Sequence, residues 1–231
     1  MNDAELRAAC DHLFLFPLPT TVLFPNTVVP LHVFEPRYRA LTKDCLASTR
    51  CMAIPLLEDG AQAMTMRPPI HPVAGMAKII QHEELSDGRY LLVLQGIARV
   101  RIADEIQTAD PYRVARAEPL QIPRVRSASS ANRGLERLRL LFGQYLVLHH
   151  EIVGERDAEG NFVVGSSPEI RRLLEGSTHP VVYCDLIGHI VLSSPAERQL
   201  FLETDALEDR IEQLIAAIAV GMASPVIVDD A

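Results

Sequence analysis

Lysine side chains, which bind nucleotide phosphates and act as bases in some hydrolases, occur only twice among the 231 residues of this sequence. A phosphate-binding loop of the P-loop type needs a glycine-rich turn that ends in Gly-Lys followed by serine or threonine. Lys43 lies in Leu-Thr-Lys-Asp and Lys78 lies in Met-Ala-Lys-Ile, so neither fits. No Gly-x-Gly-x-x-Gly or Gly-x-Ser-x-Gly pattern occurs either. The sequence therefore predicts no such ATP site and no catalytic residue.

Metal-binding chemistry is suggested at one place, His149-His150-Glu151. Zinc peptidases of the His-Glu-x-x-His type need two imidazoles on one helix face, and here the second histidine is missing. We interpret the stretch as polar residues at a helix end, where a cationic histidine suits the helix dipole. Four cysteines without Cys-x-x-Cys spacing are interpreted as buried free thiols: Cys10, Cys45, Cys51 and Cys184. We expect no metal and no cofactor.

The acidic balance of the chain limits its partners. A formal net charge of −8 and a pI near 5.5 disfavour a general nucleic-acid or anionic-membrane binder. Seven arginines nevertheless make residues 113–139 locally basic. This stretch is either an anion or RNA contact or a solvated linker and helix face. The scarcity of aromatic residues for base stacking favours the second interpretation, and an RNA surface would require the arginines to share one face.

No targeting segment is visible. The apolar run at residues 13–16 is short and ends at Pro17, and acidic Asp3 and Glu5 precede it where a signal peptide carries positive charge. The longest mostly apolar stretch, at residues 214–223, has about half the length that spans a bilayer. We expect a cytoplasmic protein with no membrane contact.

The elements that must position any functional side chain differ between the two halves. Residues 28–34 form an apolar run in which Pro30 would place a strand at a sheet edge. Pro36 predicts the start of a helix. The Asp87-Gly88 turn between residues 73–81 and 90–102 predicts a hairpin, and residues 112–117 predict the last strand of a β-rich half.

Helical periodicity follows a loop predicted at residues 124–132. Apolar and aromatic residues recur there at steps of three and four, which predicts a long amphipathic helix: Leu135, Leu138, Phe142, Tyr145 and His149. Further helices are predicted to start near Pro168, Pro180 and Pro195. Ser194 and Glu197 have the spacing of a capping box, and Asp205 and Glu208 repeat it. Gly221 is predicted to end the final helix.

Several short motifs together resemble the N-terminal domain of Lon proteases. Near the start they are Leu15-Phe16-Pro17-Leu18, Val22-Leu23-Phe24-Pro25, Val29-Pro30-Leu31 and Phe34-Glu35-Pro36-Arg37-Tyr38. The hairpin segments 73–79 and 88–100 and the closing residues 185–211 are similar to the strands and last helices of that family. The resemblance covers residues 13–219, but the loop region Val153 to Thr178 aligns with no part of it.

The resemblance implies an α+β fold, with a PUA-like, β-barrel-like half at residues 10–122 and a helical bundle at residues 123–224. It implies a protein- or peptide-binding role like that of the substrate-recognition domain of ATP-dependent Lon protease, with unfolded or peptide-like segments as partners. The ATPase and Ser-Lys protease modules of the family would have to follow this domain, so we expect a stand-alone module without catalysis. Because PUA-like folds also bind RNA, RNA binding is the alternative.

Aromatic residues of the β-rich half are the candidate peptide contacts: Phe24, Phe34, Tyr38 and Tyr112. Each of them could instead belong to the core, and a contiguous exposed apolar patch would distinguish the two roles. The proline-rich early strands also leave a sheet edge to which an extended peptide could add.

The missing phosphate loop leads to a prediction about catalysis. The purified chain of 231 residues should neither hydrolyse ATP nor cleave casein, because neither lysine stands in a nucleotide-binding or nucleophile-activating context. Phosphate release and casein gels would measure both activities. ATP turnover that disappears in Lys43→Ala or Lys78→Ala would contradict the prediction.

Overall fold

The polypeptide passes three times between two units of structure. Unit 1 consists of Met1–Gln121 with Ser194–Glu203, and unit 2 consists of Ile122–Ser193 with Thr204–Ala231. The structure, a computed structural model, describes residues 2–58, 67–149, 155–156, 162–163 and 179–223. The helix predicted near Pro168, the side chain of His150 and most of the unaligned region Val153 to Thr178 lie outside the described residues.

Six strands and three helices are described in unit 1. The strands are β1 (Leu13–Leu15), β2 (Val28–Val33), β3 (Cys51–Ile54), β4 (Val73–Glu84), β5 (Tyr90–Ile106) and β6 (Arg113–Pro119). The helices are α1 (Asp3–Cys10), α2 (Pro36–Ala47) and α5 (Pro195–Glu203). The predicted helix after Pro36, the hairpin and the last strand are all present. Helix α1 was not anticipated, although Asn2 and Glu5 form a capping box that the pattern Asn-x-x-Glu signals.

The strands form a mixed sheet that closes into a barrel. Their order is β2-β5-β4-β3-β1-β6, and β6 also pairs with β5. Strand β5 is 17 residues long, so its first part pairs with β2 and its later part pairs with β6. Among the described pairs of neighbouring strands, only β1 and β3 run parallel to each other. The barrel therefore comprises β5, β4, β3, β1 and β6, while β2 remains an edge strand, as Pro30 predicts.

The turn of the central hairpin has the conformation that its sequence requires. Gly88 has φ +77°, in the left-handed region where glycine carries no steric penalty. The Asp87 carboxylate accepts a hydrogen bond from the backbone N–H of Arg89 at 3.1 Å. These local interactions favour the turn that joins β4 and β5.

Two glycines of the hairpin allow another part of the backbone to lie directly on the sheet. A Cβ built on Gly75 would lie 2.0 Å from the carbonyl oxygen of Leu23, and one built on Gly96 would lie 2.0 Å from that of Phe24. Both oxygens belong to the backbone, so they cannot move aside as the end of a flexible side chain could. The segment that leads into β2 is therefore seated on β4 and β5 by contacts that only glycine permits.

Helix α5 packs in unit 1, which differs from the sequence analysis, where it was placed in the helical half. The side chain of Gln199 donates to the carbonyl oxygen of Val73 at 2.9 Å, and Phe201 contacts Phe24 edge to face. The buried guanidinium of Arg99 donates to the carbonyl oxygen of Leu202 at 2.8 Å. Long-range contacts of this kind leave no local signal in the sequence. The predicted Ser194–Glu197 capping box is confirmed.

Unit 2 is helical in its described part. It contains α3 (Ala128–Leu148), α4 (Pro180–Val191) and α6 (Leu207–Ala223), with a short antiparallel pair β7 (Glu155–Arg156) and β8 (Phe162–Val163). Arg210 and Asp185 form an ion pair of 2.8 Å between α6 and α4, and both side chains are buried. Breaking such a pair by removing one partner is strongly destabilising because the other charge stays buried.

Two predicted helix boundaries in unit 2 are wrong. Helix α3 begins at Ala128, inside the expected loop, because the Ser127 hydroxyl accepts from the N–H of Ser130 as an N-cap. Helix α6 continues through Gly221 to Ala223. A Cβ on Gly221 would lie 2.9 Å from the ring of Tyr145 in α3, so this glycine allows close helix packing rather than ending the helix.

The glycine contacts predict an asymmetry between two substitutions. Gly96→Ala should lower the free energy of unfolding by about 2–3 kcal/mol, because its methyl group would overlap the backbone of Phe24. Gly143→Ala in α3 is the control: its Cβ would meet nothing within 4 Å, and it should raise stability by up to about 1 kcal/mol through helix propensity. Urea unfolding followed by circular dichroism measures both. Equal effects of the two substitutions would show that the backbone of Phe24 does not lie against Gly96.

Candidate functional site

Strand β2 has two edges: the inward edge faces its partner strand β5, and the outward edge faces away from β5. The N–H of Gly96 donates to the carbonyl oxygen of Thr27 at 2.9 Å, which sets the phase of the antiparallel ladder. Because bonded and non-bonded pairs alternate, Val29, Leu31 and Val33 direct their backbone groups toward β5. The backbone groups of Val28, Pro30 and His32 are directed away from it. Pro30, which has no N–H, therefore costs the ladder no hydrogen bond.

An open groove lies beside the end of this strand. It has a volume of about 330 Å³ and lies between residues 16–19, the end of β2 and the start of α2. Its apolar lining includes Phe16, Leu18, Leu31, Val33, Phe34 and Tyr38. The ring of Phe34 is 61 % exposed at this site. A groove with such a lining can take up an apolar side chain from another molecule.

Tyr38 is held in the groove by a stacking contact and a hydrogen bond. Its ring stacks on Phe16 with centroids 4.1 Å apart, and its hydroxyl donates to the carbonyl oxygen of Pro17 at 3.4 Å. Burial raises the pKa of the Tyr38 phenol, which keeps it neutral at ordinary pH. The groove is thus lined here by a preformed, uncharged aromatic surface.

Two charged residues of the described groove lining, Arg37 and Glu35, pair with each other. The Arg37 guanidinium pairs with the Glu35 carboxylate at 2.9 Å and lies 4.5 Å from the centroid of the Tyr38 ring. The imidazole of His32 lies 6.0 Å from the ring of Phe34. With one cation paired to one anion, the groove has little net field to select a charged ligand.

The structure brings Phe34 and Tyr38 together and leaves the other two candidates outside the groove. Phe24 is fully buried and packs on Phe201 with centroids 5.1 Å apart. Tyr112 is buried away from the groove lining, and its hydroxyl donates to the Asp44 carboxylate at 2.6 Å. Burial and the hydrogen bond to Asp44 raise the pKa of Tyr112. In this conformation Phe24 and Tyr112 are core residues.

Sequence reasoning did not name the segment at residues 16–19 as part of a site. Phe16 and Leu18 line the groove, and Pro17 and Pro19 alternate with them. The available signal was this alternation, because prolines interrupt a ladder and leave neighbouring apolar side chains beside an irregular backbone.

The four cysteines are free and buried, as predicted. Burial raises the pKa of the thiols of Cys10 to about 11 and of Cys45 and Cys184 to about 12, so that they are protonated at neutral pH. Within the described ranges no group of three or more histidine, cysteine or acidic side chains could hold a metal ion. These thiols thus have the character of core residues rather than of nucleophiles.

The arginines of residues 113–139 contribute to contacts inside the two units. Arg113 is buried and pairs with Glu105, and Arg126 pairs with Asp209. The guanidinium of Arg139 lies 5.4 Å from the centroid of an aromatic ring in α4. Three of the seven arginines on which the RNA interpretation is based are therefore engaged in contacts inside the units.

Comparison with known proteins identifies the family. The model of the substrate-binding domain of the ATP-dependent protease La (Lon) matches residues 12–219. The chain belongs to this family. In the described part of this Lon substrate-binding domain, no helix is long and apolar enough to cross a bilayer.

Curated relatives are full Lon proteases. Lon protease 2 of Myxococcus xanthus is 26 % identical over 201 residues, which cover 87 % of this chain and 22 % of that protein. The Lon protease of Methylocella silvestris is 23 % identical over 214 residues, which cover 93 % of this chain and 24 % of that protein. The chain thus spans 22–24 % of the length of these relatives.

Solved structures confirm the α+β fold. The N-terminal domain of a Mycobacterium avium complex Lon protease superposes with a TM-score of 0.64 at 18 % identity, covering 90 % of this chain and 98 % of that one. A Lon N-terminal domain protein from Xanthomonas campestris gives a TM-score of 0.58 at 22 % identity, covering 89 % and 97 %. The fold expected from the resemblance is therefore present.

The different burial of two phenylalanines predicts different costs of truncation. Phe34→Ala should change the free energy of unfolding by no more than about 0.5 kcal/mol, because the ring is mostly exposed. Phe24→Ala should cost about 3–5 kcal/mol, because it leaves a cavity against Phe201. Thermal and urea unfolding of both variants measure this. A large loss in Phe34→Ala would show that its ring belongs to the core.

Proposed function

We propose that this chain binds unfolded polypeptide segments in the groove beside β2 and carries no catalysis of its own. The observation that carries the proposal is the open apolar groove with the ring of Phe34 61 % exposed. An apolar surface that the fold leaves in water is costly unless another molecule covers it. The family supports the ligand class, because its domain is described as substrate-binding in a protease.

The physical character of the groove favours apolar side chains over charged ones. Its aromatic surface, Tyr38 on Phe16, is neutral, and Arg37 and Glu35, the basic and acidic residues of its described lining, pair with each other. Burial of an aliphatic or aromatic ligand side chain would supply the favourable free energy. Because an unfolded ligand must be ordered on binding, the affinity is weak. Because apolar contact dominates, it depends little on salt.

Binding of an unfolded protein tests the proposal. Fluorescence anisotropy of labelled casein should show weak, saturable binding at both low and high salt, about 0.05 M and about 0.5 M NaCl. Phe34→Ala should weaken that binding about tenfold by removing one buried aromatic contact. Leu200→Ala is the matched control, since this leucine is 58 % exposed in the same unit and does not line the groove. Equal affinities of the two variants would contradict the groove assignment.

A structured RNA in the same titration tests the alternative. RNA binding through residues 113–139 would weaken steeply as salt rises, because it releases counterions. RNA affinity that exceeds casein affinity, and that is lost in the variant with both Arg124→Ala and Arg126→Ala, would overturn the proposal in favour of an RNA-binding protein.

A further inference from the structure

The outward edge of β2 presents a short row of backbone groups that pair with no other described strand. In the ladder phase set by Thr27 and Gly96, the outward groups are the carbonyl oxygens of Val28, Pro30 and His32 and the N–H groups of Val28 and His32. Among the described residues, β5 is the only strand that pairs with β2. The edge therefore offers three acceptors and two donors at the spacing of a β-ladder.

We propose that a bound polypeptide adds to β2 as a further strand, with hydrogen bonds to the outward groups of Val28, Pro30 and His32. This inference rests on the proposed function and specifies how the ligand is held. The groove is continuous with this edge, because Leu31, His32 and Phe34 belong both to β2 or its end and to the groove lining. A strand on the edge thus passes the groove, where one of its side chains enters.

Pro30 and the charge of the chain favour a foreign polypeptide over a second copy. If two β2 strands paired antiparallel across a two-fold axis at Pro30, neither proline would supply an N–H, and two of the six possible hydrogen bonds would be absent. A ligand strand without proline forgoes only one. Two copies with a formal net charge of −8 each also repel one another. The edge therefore discriminates against self-pairing while it accepts an extended ligand.

Paired substitutions at His32 separate the backbone from the side chain. His32→Pro removes the outward N–H without removing a bond to β5. Pro30 shows that β2 accommodates proline at a position whose backbone groups are directed away from β5. Relative to His32→Ala, which removes the same imidazole but keeps the N–H, His32→Pro should weaken casein binding about a further fivefold. Pro30→Ala adds a donor and should strengthen binding about threefold.

Hydrogen exchange in the unmodified chain gives a readout that does not depend on the folding of any variant. At saturating casein the amides of Val28 and His32 should exchange at least about tenfold more slowly, while exchange at the inward Leu31, already bonded to β5, should change little. If these amides remain unprotected while Phe34→Ala still weakens binding, the edge inference is wrong and the groove proposal stands. If casein does not bind at all, both are wrong.

Discussion

The contact between Gly96 and the carbonyl oxygen of Phe24 is the constraint on which the arrangement of unit 1 depends. It seats the segment before β2 on the sheet, where the N–H of Asn26 donates to the carbonyl of Gly96 and the N–H of Gly96 donates to Thr27. Two residues thus oppose one, as in a β-bulge, and Asn26 adopts φ 64°. This bulge sets the ladder phase of β2. It thereby directs the backbone groups of Val28, Pro30 and His32 away from β5.

The same contact explains why Phe24 belongs to the core. With its carbonyl against Gly96, its ring lies against Phe201 of α5. Helix α5 follows most of unit 2 along the chain, so unit 1 is completed only when a distant segment returns to it. Closing such a long loop costs entropy before its contacts form. The buried Arg99, whose guanidinium donates to Leu202 and Gln121, depends on that return for its acceptors. Unit 1 is therefore not a contiguous stretch of sequence.

Local patterns predicted several local elements, although helix α1 and the start of α3 were missed. The Asp87-Gly88 turn, the helix after Pro36 and the Ser194–Glu197 cap each depend on neighbours within a few residues, and all are present. Membership of α5 in unit 1 and the packing role of Gly221 depend on partners far along the chain, so they were not predictable. The candidate site follows the same division. Its aromatic residues could be named, but Phe34 and Phe24 have identical side chains and differ only in tertiary surroundings.

An edge strand beside an apolar groove offers a physical basis for recognising many unrelated sequences. Backbone hydrogen bonds are available from any extended polypeptide, so the outward groups of β2 would not distinguish one sequence from another. In the proposed site the groove would add a preference for an apolar side chain, which folded proteins mostly bury and unfolded ones expose. Because Arg37 is already paired with Glu35, that preference does not depend on ligand charge. A site of this kind distinguishes unfolded from folded chains, because only an unfolded segment provides free backbone and exposed apolar side chains together.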